Sequence, residues 1–144
     1  MMQAQTQYGR DAVLSATPAR LVTMLYDRLM IDLYRAEQAQ LVGEWTVAST
    51  NLIHAQEIVA ELAGSLRVDL WDGAEGLLAV YNYITSALRT ANIQRDPAGI
   101  REALDLLEPL AAAWHEAAAL PSGPVARPEA VAADRPGGLD LGFA

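Results

Sequence analysis

Cysteine is absent from the 144 residues, which excludes a disulfide framework and a thiolate metal site. Lysine is absent as well. All 10 basic side chains are arginine, set against 18 aspartates and glutamates, and the net charge is −8 with a pI near 4.6. Nucleic acids and anionic membranes are held largely through basic surfaces, so this balance argues against both as partners. No run of about 18 apolar residues is present, and no basic-then-apolar leader opens the chain, so a cytoplasmic chain with no membrane-inserted segment is expected. With only 6% aromatics and abundant alanine and leucine, the composition leans toward helices.

The punctuation divides the chain into an N-terminal arm over 1–16, a bundle over 17–120 and a tail over 121–144. Thr17-Pro18 and Asp96-Pro97 each read as an N-cap followed by proline at the first helical position. Gly43 and Gly64 read as helix stops, and Asp72 with Glu75 resembles a capping box. Four helices are expected at about 18–41, 44–63, 73–92 and 97–118. Their apolar stripes recur at three- and four-residue steps. They are Trp45, Ala48, Leu52, Ala55, Val59 and Leu62 in the second helix, then Leu77, Tyr81, Ile84, Leu88 and Ala91 in the third. The fourth carries Ile100, Leu104, Leu107, Ala111, Trp114 and Ala118. Pro109 falls inside this last segment and should kink or divide it. Four of the 7 prolines lie beyond Leu120, where a disordered Pro/Gly-rich tail is expected, with Leu139, Leu141 and Phe143 as its apolar residues. Four helices of this length with short connectors give an all-α, antiparallel four-helix bundle.

Site chemistry is lacking. Di-iron bundles use a Glu-x-x-His spacing, but the residues three before His54 and His115 are Asn51 and Ala112. No Gly-x-Ser-x-Gly elbow and no phosphate-binding glycine loop occurs. Glu57 and Glu61 read as a solvated helix face, and the two histidines as boundary side chains. No catalytic residue, metal ligand or cofactor is expected.

Spare apolar surface remains. On the first helix Leu21, Val22, Leu25, Leu29, Leu33 and Ala36 form a broad inward face, while Met24 and Ile31 fall among Arg20, Asp27, Arg28, Arg35 and Gln38. Tyr26, Tyr34 and Tyr83 fall at stripe edges, where a ring packs and its hydroxyl stays wet. An acidic bundle of this kind is a binding module by elimination, with an amphipathic helical ligand or a second copy of itself as partner.

Three blocks of residues then carry a resemblance. The first is Tyr8, Ser15-Ala16-Thr17-Pro18, Leu21 and Met24-Leu25-Tyr26-Asp27. The second is Leu78 to Ile84 with Leu88 and Ala91-Asn92, and the third is Asp96, the leucines around Leu107, and Trp114. In order and spacing over roughly residues 8 to 118 the chain resembles FliS, the flagellar export chaperone family. The resemblance implies a four-helix bundle in the cytoplasm that is not an enzyme. It also implies that the ligand is the C-terminal segment of flagellin, kept from premature polymerisation and fit for flagellar type III export. The cytoplasmic domain of the export gate is the implied second partner. The arm carrying Tyr8 is implied to cover part of the groove. The wheel and the resemblance together nominate Tyr8, Leu21, Met24, Leu25, Tyr26, Ile31, Tyr81, Tyr83, Ile84 and Asn92 as flagellin-binding residues. The chain departs from the family at Arg28, where glycine is common, and at Pro109.

Overall fold

The computed structural model describes residues 18–67 and 72–120. The arm with Tyr8, the cap residue Thr17 and the Pro/Gly-rich tail lie outside the described residues. Within them are four helices: α1 (Pro18–Leu41), α2 (Trp45–Gly64), α3 (Ala74–Gln94) and α4 (Pro97–Ala119). α1 packs most extensively, against α2 and α4, and the α2/α3 and α3/α4 contacts complete the ring. Asp32 meets His54, Asn92 meets Ser49, Tyr83 meets Glu102 and Glu37 meets Arg101, so every adjacent pair runs antiparallel. This is the up-down-up-down bundle that the four stripes call for.

The helix ends show which sequence signals act. At the end of α1, Gly43 takes φ 77°, Glu44 N–H reaches Ala39 O at 2.8 Å and Gly43 N–H reaches Gln40 O at 3.2 Å. That pair of bonds is a Schellman stop, with glycine where a Cβ would be strained. Asp96 caps α4 by accepting Ala98 N–H at 3.0 Å, with Pro97 following it. Asp72 does not cap α3. Gly73 holds the cap position and makes no side-chain bond, because the helix starts one residue later than a capping box requires.

Pro109 does not divide its helix. α4 runs unbroken from Pro97 to Ala119. Pro109 removes the amide donor of the Asp105 carbonyl, and both residues lie exposed on the side away from the core.

Leu29, Leu33, Leu52, Leu62, Ile84, Leu88, Ile100, Leu104 and Leu107 are fully buried and interlock along the bundle axis. Burial of each contributes about 1.5–3 kcal/mol against the chain entropy lost on folding. Gly99 permits close approach of α4 to α3, since a Cβ there would stand 3.0 Å from Ala91 Cβ. Trp45 departs from its stripe: it is 37% exposed at the bundle end, with Arg95 stacked on its ring.

Candidate functional site

The nominated residues do not form one patch. Tyr26 is fully buried, Tyr81 is 2% exposed and Ile84 is fully buried, so all three belong to the core. The two tyrosine hydroxyls lie 2.6 Å apart, across the diagonal between α1 and α3. Tyr26 also bonds the side chain of Trp114, its indole N–H being the donor. Burial pushes the Tyr26 hydroxyl up to about 12 and raises that of Tyr81 further. The expectation of a wet Tyr26 hydroxyl is therefore corrected: the third turn of α1 faces the bundle axis, and two partners inside the core satisfy its polar tip. With the bundle closed these three side chains offer no surface to a ligand.

Leu21, Met24, Leu25 and Ile31 do reach the surface from α1. The first three are half-buried and Leu25 packs against the core, while Ile31 is 43% exposed. Met24 and Ile31 are seven residues apart, two turns on one side of the helix. Tyr83 is half-exposed over the α3/α4 seam and donates to Glu102 Oε2 at 2.6 Å. Asn92 is half-buried and donates to Ser49 Oγ at 3.2 Å across the α2/α3 seam. The surface side chains thus lie on three separate sides of the bundle.

Polar contacts hold the helices beneath them. Arg101 grips Glu37 at 2.8 and 3.0 Å, His115 meets Asp27 at 2.6 Å, and Tyr34 donates to Glu108, all along the α1/α4 seam. These are exposed pairs and each contributes little alone. Bonding to Glu108 and Glu102 respectively raises the Tyr34 and Tyr83 hydroxyls above their ordinary range.

Sequence reasoning missed Asp32. Its carboxylate is fully buried between α1 and α2, with Arg28 Nε 3.1 Å away and His54 Nδ1 against its other oxygen. A signal was available: Arg28 and Asp32 stand four apart, the spacing at which helical side chains meet. Arg28 therefore supplies a cation to a buried carboxylate. Among the described residues no cluster of three or more His, Asp or Glu side chains is arranged to hold a metal ion, and no helix is long and apolar enough to cross a membrane.

The comparisons with known proteins bear on the chain as a whole. The family described as flagellar protein FliS matches residues 1–121. The chain belongs to the FliS family. The flagellar secretion chaperone FliS of Escherichia coli strain K12 is 32% identical over 126 residues, which is 83% of this chain and 90% of that one. The FliS chaperone of Bacillus subtilis strain 168 is 30% identical over 112 residues, covering 78% and 84%. A crystal structure of a bacterial flagellar chaperone superposes with a TM-score of 0.65 at 21% identity, covering 81% of this chain and 95% of that one. The FliS match stops at residue 121, so the last 23 residues are outside it.

Proposed function

We propose that this chain is a cytoplasmic chaperone of flagellar export that binds the disordered C-terminal segment of flagellin and blocks its premature assembly. Membership of the FliS family supports the chaperone role. The observation that carries the binding mode is Ile31: a branched apolar side chain, 43% exposed, on a side of α1 shared with Met24 and otherwise occupied by Asp27, arginines and Gln38. With Met24 it forms a short apolar ridge on which one face of an amphipathic helix packs. Leu21 and Leu25 widen that ridge, and Tyr83 and Asn92 provide further contacts on other sides of the bundle. Such a dispersed set suits a segment that wraps, since a disordered ligand offsets its ordering cost by covering a wide surface. Tyr26, Tyr81 and Ile84 act beneath it, by keeping the helices in place. In this reading Tyr8 belongs to an arm that flagellin displaces, and the loaded complex is handed to the cytoplasmic domain of the export gate.

Calorimetric titration with the C-terminal segment of the flagellin from the same genome tests the proposal. Saturable binding with a negative heat-capacity change and a gain of helical circular dichroism is expected. Ile31→Asp should weaken it at least about tenfold, the loss of one buried apolar contact, while the bundle stays folded. Unchanged affinity in a folded Ile31→Asp protein removes α1 from the interface. Absence of binding by the unaltered chain removes flagellin.

A further inference from the structure

The bundle end that carries the α1–α2 turn and the α3–α4 turn holds a cleft unlike the apolar ridge on α1. Gln40, Trp45, Ser49, Asn92, Ile93 and Arg95 line it. Thr46 and Thr50 complete a mostly polar wall, in which the apolar side chains are Ile93, 75% exposed, and Trp45, 37% exposed. Its one charged group is Arg95, whose guanidinium carbon stands 4.8 Å from the centre of the Trp45 ring and makes no ion pair among the described residues. A guanidinium stacked by its face keeps its N–H edge free for a carboxylate. Gln40 is 4% exposed; its Nε2 donates to Ala91 O at 3.1 Å, but its Oε1 is buried with no hydrogen-bond partner among the described residues. Arg95 itself has φ 54°, a left-handed backbone that side chains other than glycine rarely adopt. The cleft therefore combines two exposed apolar side chains with a cation that makes no ion pair among the described residues. It calls for an extended chain bearing a carboxylate beside apolar side chains.

The chain carries such a segment. Residues 139–143 read Leu-Asp-Leu-Gly-Phe, and Asp140 is the one acidic residue beyond Leu120 with leucine on both sides. We propose that this segment docks in the cleft, with Asp140 on Arg95 and a leucine or Phe143 against Trp45 and Ile93. Length permits it. α4 has 23 residues, about 34 Å, and ends opposite the cleft. The 19 residues from Leu120 to Leu139 span up to about 65 Å, so the return is made without full extension. Tethering lowers the affinity required: with an effective concentration on the order of 1 mM, docking dominates once the untethered segment binds more tightly than that. The segment lies outside the FliS match, which ends at residue 121. Its docking is independent of flagellin binding and is tested without flagellin.

The absence of cysteine makes the test direct. A nitroxide on the full-length Ala144→Cys protein should broaden the NMR signals of the Trp45 indole and of the Ser49, Asn92 and Ile93 amides, and spare Met24 and Ile31. Broadening must survive dilution of spin-labelled into unlabelled protein, which places donor and cleft in one molecule. Asp140→Asn in the same protein should weaken docking about tenfold, as loss of a charge-assisted hydrogen bond does. Arg95→Gly, which keeps the left-handed backbone, should do the same. Uniform broadening over the surface, broadening centred on α1, or broadening confined to neighbouring copies would each overturn the proposal. So would an unchanged pattern in both Asp140→Asn and Arg95→Gly.

Discussion

Two buried polar contacts tie α1 to α3 across the diagonal of the bundle, and they differ in kind. Toward the start of α1, Tyr26 and Tyr81 meet hydroxyl to hydroxyl at 2.6 Å, and Trp114 adds a third member. Toward its end, Gln40 bonds Ala91 O at 3.1 Å and leaves its own Oε1 unmatched. The first contact is a closed network inside the core. The second sits under an exposed tryptophan and isoleucine, where the surface is unfinished. A satisfied polar cluster rigidifies the interior and fixes which helices face each other. A half-satisfied one costs stability, because the unmatched group has given up water without gaining a partner.

The sharpest way to break this contrast is at Tyr26. Tyr26→Ala removes a fully buried ring and strands the hydroxyl of Tyr81, and a loss of about 3–5 kcal/mol is expected in urea or guanidinium unfolding. Tyr26→Phe keeps the ring but leaves Tyr81 and Trp114 unpaired, for a loss of about 1–3 kcal/mol. Adding Tyr81→Phe removes one of the stranded groups, so the double variant should be more stable than Tyr26→Phe alone. A double variant that falls by the sum of the singles means the hydroxyls do not act as a pair.

Alkaline pH probes the same network without mutation. The Tyr26 hydroxyl ionises near 12 in the folded chain and near 10 when unfolded, so folding favours the neutral form. That stability is fully present below pH 10 and is lost as pH rises from 10 to 12, about 2–3 kcal/mol for this residue, with Tyr81 adding in the same direction. Unfolding free energy followed from pH 9 to 12 should fall across that window. In Tyr26→Phe the fall should be smaller.

The sequence made the first contact's location half-visible. Tyr81 lies on the stripe with Leu77, Ile84, Leu88 and Ala91, and all five are buried. The cap at Asp96-Pro97 and the stop at Gly43 were legible because each is a local rule carried by one or two residues. Tyr26 was misplaced because a wheel ranks a tyrosine by side, whereas its burial depends on Tyr81 and Trp114 arriving from helices 55 and 88 positions away. The second contact was invisible for the same reason. Nothing within α1 says that Gln40 faces Ala91, and the Trp45–Arg95 stack spans 50 residues. Ile31 was legible as an exposed apolar residue because exposure on a helix's outer face is local; which ligand covers it is not.

The smallest expected effects sharpen the comparison at its weaker end. Gln40→Met removes a bond to Ala91 O, but that carbonyl still accepts from the Arg95 and Asp96 N–H groups, and the unmatched Oε1 disappears with the amide. The two changes oppose each other, so stability should move by less than about 1 kcal/mol, in contrast with the Tyr26 variants. Arg95→Gly is likewise balanced. Glycine relieves a left-handed backbone, at a gain of about 1 kcal/mol, and gives back a similar amount through the freedom of the unfolded chain and the lost stack on Trp45. Thermal unfolding should therefore shift by no more than a few degrees in either variant. A large loss in Gln40→Met would show that this amide is as fully used as the tyrosine pair, and the two ends of the bundle would then be alike.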